Sequence, residues 1–256
     1  MDTAQHEFAL ALASAYRTGD ALDAQVWQDS VRDTPAAYAV QDAVAVEMGW
    51  WLAGELPRHW KSGGASRSAT LTHAGLRPDT VRADGASYAD LPLHQPGIEA
   101  EVALRLGRDV TPEEAATLDE ASVDGLIDAM TVSIELVDSR LMQASQAPAL
   151  LRLADSQSHA GLVLGDWTPY RRLAWHQQEC EVRIDGGAAQ IHAGTHSLED
   201  PAWLLPTWLR HLTRHGATVR SGTVVTTGSW NGVHAVHGGM AVQVAFPGIG
   251  EVSLRV

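Results

Sequence analysis

Two glutamates one residue apart, Glu99 and Glu101, lie in a run of otherwise apolar residues that extends from Gly97 to Leu104. Successive side chains of a β-strand point to opposite faces, so the two carboxylates share one face and the apolar side chains share the other. Such a pair is more often found on the solvated face of a half-exposed sheet. If the face is buried, the like charges raise each other's pKa unless a cation lies between them.

A third carboxylate, Glu135, lies in a second β-prone apolar run, from Thr131 to Asp138. The residues around it favour a strand. Hard divalent cations prefer oxygen ligands, and three carboxylates supply them while leaving coordination positions open for water or a bidentate ligand. The three glutamates are therefore candidate ligands of a divalent metal ion.

The chain is acidic, with a formal charge of −13 at pH 7 and a pI near 5.2. An acidic surface attracts neither nucleic acid nor an anionic membrane, so we expect neither as a partner. The single cysteine, Cys180, excludes an intramolecular disulfide. The first ten residues lack the basic segment of a signal peptide, and no apolar run approaches the length of a membrane span, so we expect a cytoplasmic protein.

Residues 1–56 are predicted to be helical, and residues 57–256 to form a β-rich body in one structural unit with them. Helices are predicted to begin at Thr34-Pro35, Thr111-Pro112 and Asp200-Pro201, and another to extend from Asp119 to Met130. Helices and strands do not alternate regularly, which disfavours a doubly wound sheet and favours a mixed α+β fold. Strands are predicted at residues 58–61, 98–106, 131–137, 161–164, 179–184, 188–192, 224–227, 240–246 and 251–256.

Four segments follow one another in a distinctive order: Ile98 to Ala103, Ser133 to Arg140, Ala154 to Gly165 and Val225 to Ser229. In order and spacing they resemble the fumarylacetoacetate hydrolase superfamily, in particular its branch of 2-keto-4-pentenoate hydratases and 4-oxalocrotonate decarboxylases. The resemblance extends from about Lys61 to the C-terminus and is compatible with a helical N-terminal part. It implies a fumarylacetoacetate hydrolase-like fold, a mixed β-sheet roll.

The resemblance implies that Glu99, Glu101 and Glu135 bind Mg²⁺ or Mn²⁺. It also implies an acid/base or substrate-binding role for Lys61, with Asp79 as a companion carboxylate. From the residues alone, one lysine is more typical of a solvated surface charge, and an aspartate after a proline is more typical of a turn.

The remaining candidates bind substrate in the family pattern. Arg140 matches a carboxylate bidentately, although it could equally pair with Asp138. The turn at residues 227–229 could also be a simple glycine turn. The sequence departs from the family pattern at Ser62, Ser156, Trp230 and Asn231, which bears on the substrate. The predicted substrate-binding residues are Ser158, Arg140, Thr227, Ser229 and His159.

The activity implied by the resemblance is that of a metal-dependent hydratase, a lyase that adds water to a 2-hydroxy-2,4-dienoate or its 2-oxo tautomer in the breakdown of aromatic compounds. The product is a 4-hydroxy-2-oxo acid. The alternatives are a decarboxylase of the 4-oxalocrotonate type, a hydrolase of C–C bonds in acylpyruvates, and a non-catalytic paralogue. The expected partners are a small 2-oxo acid or dienoate, further copies in a homo-oligomer, and a related decarboxylase or hydratase.

Signals for other chemistries are missing from the sequence. There is no G-x-S-x-G elbow, no P-loop and no dinucleotide-binding fingerprint. Among twelve histidines, only His211 and His215 have a clear spacing for one helix face, and neither belongs to an HExxH motif. A serine hydrolase, an NTPase, a Rossmann dehydrogenase and a zinc protease are therefore disfavoured.

Overall fold

The computed structural model describes residues 1–256. The helices are α1 (Thr3–Thr18), α2 (Ala24–Trp27), α3 (Thr34–Glu47), α4 (Pro112–Thr117), α5 (Ala149–Ala154) and α6 (Leu205–Thr213). The strands are β1 (His59–Gly63), β2 (Thr72–Gly75), β3 (Val81–Ala83), β4 (Ala86–Ser87), β5 (Gly97–Leu106), β6 (Ile127–Val137), β7 (His159–Leu164), β8 (Thr168–Pro169), β9 (Glu179–Ile184), β10 (Gln190–Ala193), β11 (Val224–Thr226), β12 (His234–Ala235), β13 (Ala241–Phe246) and β14 (Gly250–Arg255).

The strands form two mixed sheets, each with parallel and antiparallel pairs. The larger sheet has nine strands in the order β2-β1-β11-β5-β6-β7-β3, with β12 also paired to β5 and β8 to β6. The smaller sheet has five strands in the order β10-β9-β13-β14-β4. Strands β13 and β14 of the smaller sheet contact β6 of the larger one, so an apolar core lies between the sheets. The predicted mixed α+β fold is confirmed.

The two longest strands, β5 and β6, form the antiparallel centre of the larger sheet. On one face of β5, Ile98, Ala100 and Val102 are fully buried against the core. The register places Glu99 directly opposite Glu135. Because opposite residues of an antiparallel pair share a face, the strand pairing by itself brings the glutamates of both runs together.

A second, smaller core lies under the N-terminal helices. Helix α3 packs between α1 and α5. The core that these helices share contains Phe8, Leu12 and Val40 from residues 1–56, and Leu151 and Leu153 from residues 57–256. We propose that residues 1–56 and 57–256 form one structural unit, because neither range alone encloses this core. None of the helices is long and apolar enough to cross a membrane.

The helix starts follow side-chain capping. Helix α3 begins at Thr34 as predicted, but its cap is Asp33, whose carboxylate accepts a hydrogen bond from the amide of Ala36 at 2.8 Å. Thr111 caps α4, and Asp200 caps a 3₁₀ turn that leads into α6. These side chains satisfy amides that have no partner within the helix.

The predicted helix from Asp119 to Met130 is wrong. The carboxylate of Asp119 accepts hydrogen bonds from the amides of Ala121 and Ser122, which closes a local turn. A short 3₁₀ turn follows, and β6 begins at Ile127. Pairing with β5 outweighs the local helical preference, because tertiary context routinely overrides intrinsic propensity. The short strands β2, β3, β4, β8 and β12 were not predicted, since two to four residues carry little periodicity.

Gly161 in β7 offers a test of packing in the larger sheet. A Cβ at this position would lie 2.4 Å from the ring of Tyr88, which is itself fully buried. We expect Gly161→Ala to lower the free energy of unfolding by about 1–3 kcal/mol through overpacking. Urea denaturation measures the free energy of unfolding of each variant. Gly125→Ala is the matched control, because nothing lies within 4 Å of the added methyl group there; equal effects of the two variants would contradict the expectation.

Candidate metal centre

Three carboxylates from the two central strands converge at one point. One oxygen each of Glu99, Glu101 and Glu135 lies within 4.8 Å of the other two. Glu101 and Glu135 are buried and Glu99 is partly buried. The strand alternation seen in the sequence therefore produces a buried cluster, and the alternative of a solvated face is wrong for this pair.

The environment of Glu101 disfavours a negative charge as long as no cation is present. Burial, together with the neighbouring carboxylates of Glu135 and Glu99, raises the pKa of Glu101 to about 8. Its Oε2 accepts hydrogen bonds from the hydroxyl of Thr226 and, at 2.9 Å, from the amide of Gly228. Gly228 has φ of 108°, a conformation that glycine adopts more readily than other residues. These donors orient the carboxylate without neutralising it.

Only one of the two carboxylate oxygens of Glu135 accepts hydrogen bonds. Its Oε1 accepts hydrogen bonds from Nζ of Lys61 at 2.6 Å and from Nδ1 of His159 at 3.0 Å. Burial alone would raise the pKa of Glu135, but Lys61 and His159 together lower it below its ordinary value. Its Oε2 is buried and has no hydrogen-bond partner.

This unpartnered oxygen tests whether the cluster suits a cation. A buried carboxylate oxygen without a donor is costly, and a metal ion would give the three converging acceptors a common partner. All three ligands are hard oxygen donors, which suits Mg²⁺, Mn²⁺ or Ca²⁺ rather than a thiophilic metal. The residues present therefore fit a divalent metal ion.

Lys61 stands beside the cluster and is the only lysine among the 256 residues, whereas arginine accounts for the other seventeen of the 18 basic side chains. Burial would lower the pKa of Lys61, but Glu135 and Glu99 outweigh it and raise the pKa above its ordinary value. Nζ also donates to the carbonyl oxygen of Gln157 at 3.2 Å. Lys61 was expected from the resemblance, and its being the only lysine of the chain is a further signal that the sequence carries.

The glutamates and Lys61 line a cavity of about 480 Å³. Most of its other lining residues are polar or glycine, among them Gln157, Thr195, Ser197, Thr226 and Ser229. No histidine lines it, and Lys61 is its only cationic residue. The cavity therefore suits a small polar ligand that chelates a metal ion.

Of the five predicted substrate-binding residues, the structure brings one to this cavity. Ser229 lines it, and its hydroxyl donates to Oδ1 of Asn231 at 3.1 Å. His159 is buried and is not among the residues that line the cavity, and its ring hydrogen-bonds to the carboxylate of Glu135, so it supports a carboxylate instead of contacting a ligand. Ser158 lies outside the lining residues, where its amide donates to the carbonyl of Asp155.

The structure does not bring Asp79 to the site, and the expectation for this residue is corrected. Asp79 lies in a 3₁₀ turn after Pro78, and its side chain is 61% exposed. Both carboxylate oxygens accept hydrogen bonds from the guanidinium of Arg77, which lowers the pKa of Asp79. The turn after a proline, the alternative that the sequence left open, is what the chain forms.

Arg140 is likewise not available to a substrate. Its Nε donates to Oδ1 of Asp155 at 2.6 Å, and Nη1 donates to the carbonyl of His159 at 2.7 Å. The pair is buried, and the guanidinium lies 4.4 Å from the ring centroid of Tyr16. Arg140 therefore pairs with Asp155 and not with Asp138, although Asp138 is closer in sequence. The fold determines which carboxylate lies next to the guanidinium.

Thr227 faces away from the cavity, and its hydroxyl donates to the backbone carbonyl of Val102. The preceding residue, Thr226, occupies the place expected for Thr227 and contacts Glu101. A shift of one residue moves a strand side chain to the other face. Gln157 was missed because nothing in its local sequence marks it as a cavity residue.

Comparison with known proteins identifies the relatives of this fold and chain. The family described as fumarylacetoacetate (FAA) hydrolase C-terminal matches residues 66–256. Two relatives from Dechloromonas aromatica (strain RCB), 2-keto-4-pentenoate hydratase 1 and 2, are each 29% identical, over 238 and 241 residues. Both alignments cover 88% of this chain and 86% of the relative.

A solved structure shares the fold over nearly the whole chain. The 4-oxalocrotonate decarboxylase from Pseudomonas putida G7, complexed with magnesium and adipate, superposes with a TM-score of 0.84 at 19% identity. The match covers 98% of this chain and 96% of that chain. The resemblance expected from the four ordered segments is confirmed.

The buried ion pair makes a testable prediction about Arg140. Arg140→Met would leave the carboxylate of Asp155 buried without its partner, so we expect the free energy of unfolding to fall by about 3–5 kcal/mol. Arg105→Met is the control, because Arg105 and Asp128 form an exposed pair that is worth about 1 kcal/mol or less. Urea denaturation measures both, and a small loss for Arg140→Met would contradict a structural role.

Proposed function

Because this chain belongs to the fumarylacetoacetate (FAA) hydrolase C-terminal family, we propose that it is a metal-dependent hydratase. Its substrate is a small 2-hydroxy-2,4-dienoate or the 2-oxo tautomer, and its product is a 4-hydroxy-2-oxo acid. The names of the two Dechloromonas relatives support hydration as the reaction. The magnesium bound by the decarboxylase of the same fold supports a divalent ion such as Mg²⁺ or Mn²⁺.

The observation that carries the proposal is the unpartnered Oε2 of Glu135, inside a cluster of three carboxylates and next to the only lysine. Glu99, Glu101 and Glu135 would hold the ion. A divalent ion there supplies a Lewis acid that polarises a chelating 2-oxo acid. The cavity residues supply proton transfer and orientation.

Lys61 is the proton-transfer residue in this proposal. Its raised pKa keeps it as an ammonium group, so it can donate a proton to C5 of the dienol and become a neutral amine. The conjugated enone that results accepts water at C4, and the amine takes the proton that the water loses. The same group then returns a proton to C3, and the amine regains from solvent the proton that the enol oxygen released when the enone formed, so water is added and the ammonium group is restored.

The other reactions considered for this fold are less well supported. A hydrolase of C–C bonds would use a base dedicated to activating water, and no histidine lines the cavity to serve as one. Ser62 and His73 form a hydrogen bond of 2.8 Å, yet the alternation of β1 puts Ser62 on the face opposite Lys61. Decarboxylation remains the competing outcome of the assay below, because a chelating metal site also suits that reaction.

Metal binding can be tested by thermal unfolding. We expect saturating Mg²⁺ or Mn²⁺ to raise the Tm of the protein by roughly 5–10 °C over its value in EDTA. Glu101→Gln should lose most of this increase, because it removes one ligand. Glu113→Gln is the matched control, since Glu113 is an exposed glutamate of α4. A full metal-dependent shift in Glu101→Gln would exclude Glu101 as a ligand.

Turnover can be tested with the metal-loaded protein and a panel of 2-hydroxydienoates, with and without a second carboxylate. Loss of dienol absorbance with no release of CO₂ is expected, and release of CO₂ would instead indicate a decarboxylase. Lys61→Met should lower turnover by about 10²–10⁴-fold while metal binding persists. Lys61→Arg keeps the charge but cannot release a proton, so it should be equally impaired; wild-type turnover in that variant would remove Lys61 from the mechanism.

A further inference from the structure

A strained turn lies beside Lys61. Ser156, Gln157 and Ser158 are consecutive and have φ values of 49°, 54° and 60°. Residues other than glycine rarely adopt this left-handed conformation, and such strain persists only where the surroundings enforce it. Three successive residues in it require an unusually well-anchored segment.

The anchors of this turn come from buried groups on both of its sides. Arg140 donates to the carbonyl of Asp155 at 3.1 Å before the turn and to the carbonyl of His159 at 2.7 Å after it. The amide of Asp138 donates to the carbonyl of Ser158 at 2.8 Å. The buried ion pair of Arg140 and Asp155 therefore stabilises the conformation of this turn.

The turn presents Gln157 to the cavity. The backbone carbonyl of Gln157 accepts a hydrogen bond from Nζ of Lys61, and its side-chain Nε2 donates to the hydroxyl of Thr72 in β2. Gln157 is one of the lining residues. Its side-chain Oε1 is buried and has no donor.

A buried amide oxygen without a donor is costly, and this one belongs to a residue that lines the cavity and contacts the proton-transfer lysine. We propose that Gln157 is a positioning residue whose Oε1 accepts a hydrogen bond from the water that adds to the substrate. This assignment rests on the hydratase function proposed above. The water oxygen bonds to C4, the electron pair of C3=C4 moves to C3, and the water proton passes to the amine of Lys61.

If Gln157 orients the water, its substitution should affect the addition of water but not the transfer of protons to carbon. Proton transfer to carbon needs Lys61, whereas addition of water also needs the oriented water molecule. Gln157→Met removes the acceptor and keeps the length of the side chain. Gln157→Gly also removes the acceptor, and glycine favours the left-handed backbone, so the turn is retained.

The experiment follows both halves with the metal-loaded protein in D₂O. Proton NMR reports deuterium incorporated at carbon, and the C4 resonance reports the hydrated product. In both variants we expect hydration to fall by roughly tenfold or more. Deuterium incorporation and KM should stay within about twofold of the wild-type values. Gln146→Met, an exposed glutamine, is the matched control.

A second readout excludes an indirect effect through Lys61. Because the chain has one lysine, protein labelled with ¹⁵N-lysine gives a single side-chain signal, which should be unchanged in Gln157→Met and Gln157→Gly. Equal losses of deuterium incorporation and hydration, a displaced lysine signal, or undiminished hydration would each overturn the assignment. A wild-type protein that exchanges deuterium but forms no hydrate would overturn the proposed function, and this assignment with it.

Discussion

Repulsion among three buried carboxylates is the constraint on which the site depends. Glu99, Glu101 and Glu135 lie on one face of the β5–β6 pair, and the fold supplies a single cation, Lys61, to set against them. Lys61 satisfies only one oxygen of Glu135. A sheet core with this arrangement is less stable than an apolar one, and the divalent ion proposed above would offset that cost.

The remaining polar groups around the site serve to orient these charges. Thr226 and Gly228 hold one oxygen of Glu101, while His159 supports Glu135 from behind. Arg140 and Asp155 lie further away, yet their ion pair holds the left-handed turn that presents Gln157. The charged residues of this region thus divide into those that face the cavity and those that keep its walls in place.

Particular residues show how far the sequence could predict the site. The clustering of the three candidate metal ligands was predictable because they lie on long strands, where alternation determines the face of every side chain. Thr227 was expected at the cavity from the resemblance, whereas Thr226 lies there, because a difference of one residue along a strand changes the face to which a side chain points. Asp79 was expected to act with Lys61, and Arg140 to bind substrate. An isolated charge in a sequence does not reveal its partner, and Arg77 and Asp155 proved to be those partners.

The sequence by itself determined the α+β class, the long strands, the family and the three glutamates that share a face. These follow from local periodicity, from capping residues and from the order of four segments along the chain. Only the tertiary structure decided that this face is buried, that Lys61 contacts Glu135 across 74 positions of sequence, and that Gln157 lines the cavity. Burial and charge pairing depend on the distances between segments far apart in the chain, and local patterns carry no information about those distances.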